Sequence, residues 1–178
     1  MRKIKCLFAF NLFFIFLLIP FVQAQEVTLV AFKDPKSGLS ISFPRGWEID
    51  QNAEGLVVEA VEPKSPKEKS RASVNVGYVD TSYNLDEVSD TEWKQVAAEI
   101  FRQAVPNVQI FSADNFQVSG KRGYEMAGKS TIQGKNIVLA QFYIQDRKRV
   151  YIITCATIES KLDALRPIFR KIVQSFKV

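Results

Sequence analysis

From Leu39 to Phe43 apolar and polar residues alternate without a break, with Leu39, Ile41 and Phe43 on one side and Ser40 and Ser42 on the other. A period of two is the signature of a half-buried strand. Pro44 has no N–H to offer a ladder and ends it, and Gly46 permits a turn that folds Trp47 back over the apolar side. Ahead of this strand, residues 26–32 read as a short tail and Lys33-Asp34-Pro35-Lys36-Ser37-Gly38 as a turn by composition. Beyond it, Gly55 to Glu62 reads as a further strand and Pro63 to Ser70 as a polar loop with two prolines. Ala72, Val74, Val76 and Tyr78 then alternate with Ser73, Asn75 and Gly77, which predicts a strand with one polar face.

The period then changes. Trp93, Val96, Ala97, Ile100, Phe101 and Ala104 recur at helical spacing and predict one apolar stripe laid against a sheet. Ser89 and Glu92 stand at the spacing of a capping box just before it, and Pro106-Asn107 closes it. Strand signals return at 108–112, 115–119 and 124–132, with turns expected at Gly120 and Gly123 and a hairpin turn over Gln133-Gly134-Lys135-Asn136. The runs 137–144 and 150–157 are apolar on both faces, so they are expected to be central strands covered on both sides. Asp146 to Arg149 joins them. Leu162, Leu165, Ile168, Phe169, Ile172, Val173 and Phe176 predict a closing helix, with Asp163 as its N-cap and Pro167 in or near its first turn. An antiparallel sheet with one helix inserted mid-chain and another at the end is an α+β layout, an α/β/α sandwich with the two main helices on opposite faces.

The first residues carry a different pattern. Arg2, Lys3 and Lys5 precede an apolar stretch from Leu7 to Val22 that ends Val22-Gln23-Ala24. This is the layout of a secretory signal peptide over residues 1–24, which leaves 25–178 as one domain. An uncleaved anchor is the competing reading, because the apolar stretch approaches the length of a short span. Cys6 lies too early to be a lipid-modified cysteine. The whole chain is formally +5, and losing the leader brings it to about +2. That is too little basic excess for a nucleic-acid binder.

Histidine is absent, which removes Ser-His-Asp and Cys-His catalysis and histidine-ligated metal sites. Cys155 would be the sole cysteine left after cleavage, so no internal disulfide is available, and its apolar surroundings predict a buried thiol. No glycine-rich phosphate loop, nucleophile elbow or H-E-x-x-H motif occurs, and no carboxylate spacing supports an acid-only glycosidase. The acids between Asp80 and Glu92 suit helix capping and solubility better than calcium, since the loop spacing of a calcium site is missing. Trp47 and Trp93 are expected in the core. The loop from Pro63 to Arg71 sets Lys64, Lys67, Lys69 and Arg71 against one acid, Glu68. It is either a solvated loop or a contact for an anionic partner.

The run Asp34-Pro35-x-x-Gly38-Leu-Ser-Ile-Ser-Phe-Pro-x-Gly-Trp47 resembles the opening of PsbP-like domains of the Mog1/PsbP/DcrB-type superfamily. The endings Val150-Tyr-Ile-Ile-Thr-Cys-Ala156 and Pro167-Ile-Phe-x-Lys-Ile-Val-x-Ser-Phe176 are similar to the last strand and last helix of that family. The resemblance implies an exported α/β/α sandwich that is an accessory or assembly module rather than an enzyme, binding another protein of the envelope or lumen. Histidine contributes to the metal sites of the photosystem members, so those sites do not carry over. The expectation is therefore a non-catalytic module without cofactor, metal or nucleic acid, periplasmic or extracellular, or lumenal in a photosynthetic source. Its contact candidates are Lys64, Lys67, Lys69 and Arg71, and membrane contact arises through a retained leader or through that loop. The alternative is a periplasmic small-ligand or divalent-cation binding protein.

Overall fold

A computed structural model describes residues 27–66, 70–82 and 87–178. The expected signal peptide and the cores of two loops, with Lys67 and Lys69 among them, lie outside the described residues. The elements run β1 (Leu29–Lys33), β2 (Ser40–Pro44), β3 (Glu48–Asp50), β4 (Val58–Val61), β5 (Ser73–Asp80), α1 (Asp90–Ala104), β6 (Gln109–Val118), β7 (Lys121–Ile132), β8 (Lys135–Asp146), β9 (Arg149–Ile158) and α2 (Leu162–Gln174), with a 3₁₀ turn at Glu159–Lys161. A seven-stranded antiparallel sheet has the order β3-β4-β5-β9-β8-β7-β6, and β1 and β2 form a separate two-stranded sheet.

As expected from their doubly apolar sequences, β8 and β9 lie inside the sheet. Alternation along β8 sends Phe142 and Ile144 into one core and Tyr143 into the other. The first core contains α2 and the β1–β2 hairpin; the second contains α1. The helices therefore cover opposite faces. On the α1 face Trp93 meets the rings of Tyr124 and Tyr143 edge-on, with centroids 5.5 and 6.1 Å apart. The Tyr143 hydroxyl sits 2.5 Å from Gln141 Oε1 and 3.1 Å from the Ala97 carbonyl, so a buried polar tip keeps partners.

Several elements differ from the sequence expectation. The supposed tail forms β1, because pairing with β2 satisfies its backbone and gives Phe32 the Phe43 ring to pack on, at 6.4 Å. The signals at 108–112 and 115–119 belong to one strand, β6, bent by a register shift between Ile110 and Ser112. Gly123 is within β7 rather than in a turn. Phe116 lies across from it and its ring occupies the space a Cβ would need. The β7–β8 turn is tighter than expected, with Gln133 and Gly134 alone between the paired Ile132 and Lys135. Both have φ in the left-handed region, the geometry that matches strand twist in a two-residue hairpin.

The helices also depart in detail. Ser89 and Glu92 form the predicted capping box. Burial on α1 narrows to Trp93, Ala97 and Phe101, while Val96 is exposed, because the helix rests on the sheet along a single i, i+4 row. On α2 the N-cap is Lys161, without a side-chain bond, since the 3₁₀ turn leads directly into the helix; Asp163 sits in the first turn. Pro167 lies inside the helix, past the turn in which a missing N–H costs nothing.

Candidate interaction surfaces

The motifs that carry the family resemblance do structural work in the β1–β2 sheet. The Asp34 carboxylate accepts the Ser37 amide at 2.8 Å and the Ser37 hydroxyl at 2.5 Å, and these bonds hold its carboxyl below the usual range. Gly38, at φ 76°, donates to the Asp34 carbonyl at 3.0 Å and closes the turn. At the other end of the chain the Ser175 hydroxyl accepts the Ser42 amide at 2.7 Å, and Phe176 is fully buried. Ser40 and Lys177 exchange backbone bonds of 2.8 Å in both directions. The two ends of the motif are thus stitched together.

Cys155 is buried at 1% exposure on the same face as Tyr151 and Ile153, and burial pushes its thiol far up. Trp93 is core, as expected, whereas Trp47 is only half-buried against the α2-face core because it sits just past the strand end at Pro44. The acids from Asp80 to Glu92 are occupied locally where described. Asp80 accepts Arg149 Nε at 2.8 Å, Glu92 completes the cap, and Asp90 binds Asn115, Arg122 and Tyr124. No cluster of three or more candidate metal ligands occurs among the described residues.

Of the four basic candidates, Lys64 is exposed, and Lys67 and Lys69 lie outside the described residues. Arg71 is turned inward: its Nε donates to the Glu62 carbonyl at 2.5 Å and its guanidinium pairs with Glu48 at 2.5 Å, bracing β3 and β4. The loop is tied to the β7–β8 hairpin by Lys135 Nζ, which donates to Ser70 Oγ at 3.0 Å. Two shallow depressions share Ser70 and Lys135, and one of them also takes in Arg71, Ile132 and Ile137. Ile132 is 41% exposed at this tip. The sequence missed the hairpin's contribution because Lys135 is far from the loop along the chain.

A second surface was not foreseen at all. On the α2 face the helix lies against β9 and β2 and leaves the outer strands β7 and β6 beside a groove of about 250 Å³. Its floor is Ala127, Ala140 and Phe142, with Phe169 as the helix wall. Arg166 and Arg170 line the helix side, and Asp114 and Glu125 the sheet side. Glu125 holds Arg170 at 2.9 Å, while burial raises its carboxyl above the ordinary range and Arg170 opposes that rise. Phe111, on the bulge of β6, stands at the rim with 58% exposure, the highest of any large apolar side chain among the described residues. Arg166 and Arg170 stand one turn apart on α2, and nothing in the sequence singled them out or placed two carboxylates opposite them.

A family model described as PsbP-like protein matches residues 22–178. The chain belongs to the PsbP-like family. Its fold is shared with solved structures of low sequence identity. The cyanobacterial PsbP of Synechocystis sp. PCC 6803 superposes with a TM-score of 0.60 at 16% identity, covering 86% of this chain and 94% of that one. LpqN, described as involved in cell envelope biogenesis of Mycobacterium tuberculosis, gives 0.62 at 12%, over 88% of this chain and 93% of that one. A Pseudomonas aeruginosa protein of unknown function gives 0.56 at 16%, over 84% and 96%. No curated protein matches the sequence. Among the described residues no helix of this PsbP-like chain is long and apolar enough to cross a membrane.

Proposed function

We propose that the protein is an exported, non-catalytic accessory module that docks onto another protein of the cell envelope or lumen. Residues 1–24 act as a cleaved signal and 25–178 form the working domain. Membership of the PsbP-like family supports the accessory role, and the involvement of LpqN in cell envelope biogenesis fits the location. The docking surface is the sheet end where Ser70 and Arg71 meet the β7–β8 hairpin. The observation that carries this choice is the exposed Ile132 beside Lys135, with Lys64 exposed on the neighbouring loop. An apolar anchor with a polar, charged rim is the usual composition of a contact patch. Lys64 and Lys135 make this end basic, so an acidic patch is the expected counterpart.

The test is crosslinking of the tagged chain in its own host, followed by mass spectrometry of what it captures. One reproducible complex, lost on Ile132→Asp or on Lys64→Glu with Lys135→Glu, supports the reading. Absence of any partner above background across growth conditions, or a complex indifferent to both changes, rejects it.

A further inference from the structure

The groove between α2 and β6 contains two local conflicts. Asp114 and Glu125 are directly paired across β6 and β7, so two like charges face each other on one side of the sheet. Arg166 and Arg170 stand four residues apart on α2, another like-charged neighbour pair. The Arg170–Glu125 ion pair at 2.9 Å relieves one member of each. Arg166 has Asp163 at 4.0 Å on its own helix, the outer limit of such a contact, and is 60% exposed. Asp114 has the Ser112 hydroxyl on its own strand. One cation and one anion are therefore presented on opposite walls of an apolar groove.

Two further features lie at the same place. Phe111 projects from the rim. β6, ten residues long, is the last strand of the sheet, with no strand on its outer side among the described residues. Long open edges and exposed aromatic side chains are features that proteins normally cover. The surface thus carries a knob beside a hole and an anion beside a cation. A surface of that kind is complementary to itself under a two-fold rotation, which is the requirement for an isologous interface.

We propose that this face binds a second copy of the chain, with Arg166 of each copy meeting Asp114 of the other and Phe111 of each seated against the partner's groove. The charge arrangement argues for a second copy over an unrelated partner. A purely acidic or purely basic surface would satisfy one wall and oppose the other, whereas another copy supplies both signs in the required order. The interface is separate from the docking surface at the β7–β8 hairpin, so either can fail without the other.

Sedimentation velocity on the chain purified as its host exports it tests the proposal over a range of concentrations. The expected result is a concentration-dependent monomer–dimer equilibrium. Phe111→Asp should abolish the dimer while leaving the melting temperature nearly unchanged, because the side chain is mostly exposed. Arg166→Glu should weaken dimerisation by about tenfold or more. Adding Asp114→Arg to Arg166→Glu should restore it, since each copy then offers the reversed pair. A wild-type chain that stays monomeric at every concentration overturns the proposal. So does a dimer that survives Phe111→Asp, or one in which the charge swap fails to restore what Arg166→Glu removed.

Discussion

The Tyr124 hydroxyl donates to Asp90 Oδ1 at 2.6 Å, joining strand β7 near the edge of the sheet to the first turn of α1. Asn115 Nδ2 donates to the other carboxylate oxygen at 2.9 Å, and Arg122 pairs with the same group. One side chain at the N-terminus of α1 thus locks the helix onto β6 and β7, where the helix dipole also favours a negative charge. The bonds to Tyr124 and Asn115, followed by Arg122, hold its carboxyl below the ordinary range.

Tyr124→Phe is expected to lower stability by about 1 kcal/mol, the net worth of one hydrogen bond whose acceptor is partly solvated. For a chain of this size that is about 3 °C in melting temperature. A carboxyl depressed in the folded state contributes stability above its unfolded value and loses it as pH falls through the folded value. The gap between wild type and Asp90→Asn should therefore be full at neutral pH and shrink below about pH 4. Melting curves at pH 7 and pH 3 decide this, and a gap that grows on acidification contradicts the assignment.

Glu125 has the opposite sign. Its carboxyl is raised by burial, so the folded state holds the proton more tightly than the unfolded chain, and stability declines as pH rises from about 4 through the folded value. Glu125→Gln removes that decline. Relative to wild type, the variant should gain between pH 4 and pH 7, whatever it loses through the Arg170 pair. Chemical denaturation at the two pH values measures the difference, and a relative loss over that interval would show that the Arg170 pair outweighs burial.

Cys155 should resist thiol reagents in the native state and react at a rate set by opening of the sheet, because its sulfur is buried and its thiol is pushed up. Cys155→Ser is expected to cost about 2 kcal/mol by placing a hydroxyl among Val74, Ala140 and other apolar neighbours. Rapid stoichiometric labelling of the folded protein would contradict this placement.

Gly123 is required by a ring rather than by a turn. A Cβ there would lie 2.5 Å from Phe116 Cε1 and 3.0 Å from the Tyr143 carbonyl oxygen. The ring is in turn held edge-on by Phe142, with centroids 5.4 Å apart. Gly123→Ala should destabilise by about 2 kcal/mol through overpacking. Phe116→Leu in the same chain should recover part of the loss, and simple additivity of the two changes in urea unfolding would refute the coupling.

Much of the fold was legible because it depends on periodicity. The two doubly apolar runs had to be interior strands, and the capping-box spacing before Trp93 had to start a helix. β1 was missed because Val30 and Ala31 are largely exposed, so its only strong signal is its pairing with β2. The N-cap at Asp163 was misplaced because the 3₁₀ turn ahead of α2 has no strong composition. Of the four basic loop residues, Arg71 proved to be braced against Glu48 and Glu62, an arrangement set by the neighbouring strands β3 and β4.

By itself the sequence determined the α+β class, the burial of Cys155 and Trp93, the family resemblance and the lack of histidine chemistry. Each of these follows from residue type or from short-range spacing, which local sterics and burial convert directly into structure. Tertiary structure alone decided which side chains share a surface. The pairing of Asp114 with Glu125 opposite Arg166 and Arg170, and of Ser70 with Lys135, depends on strand order and helix placement. Those are long-range contacts that the whole packed core selects, and no local pattern encodes them.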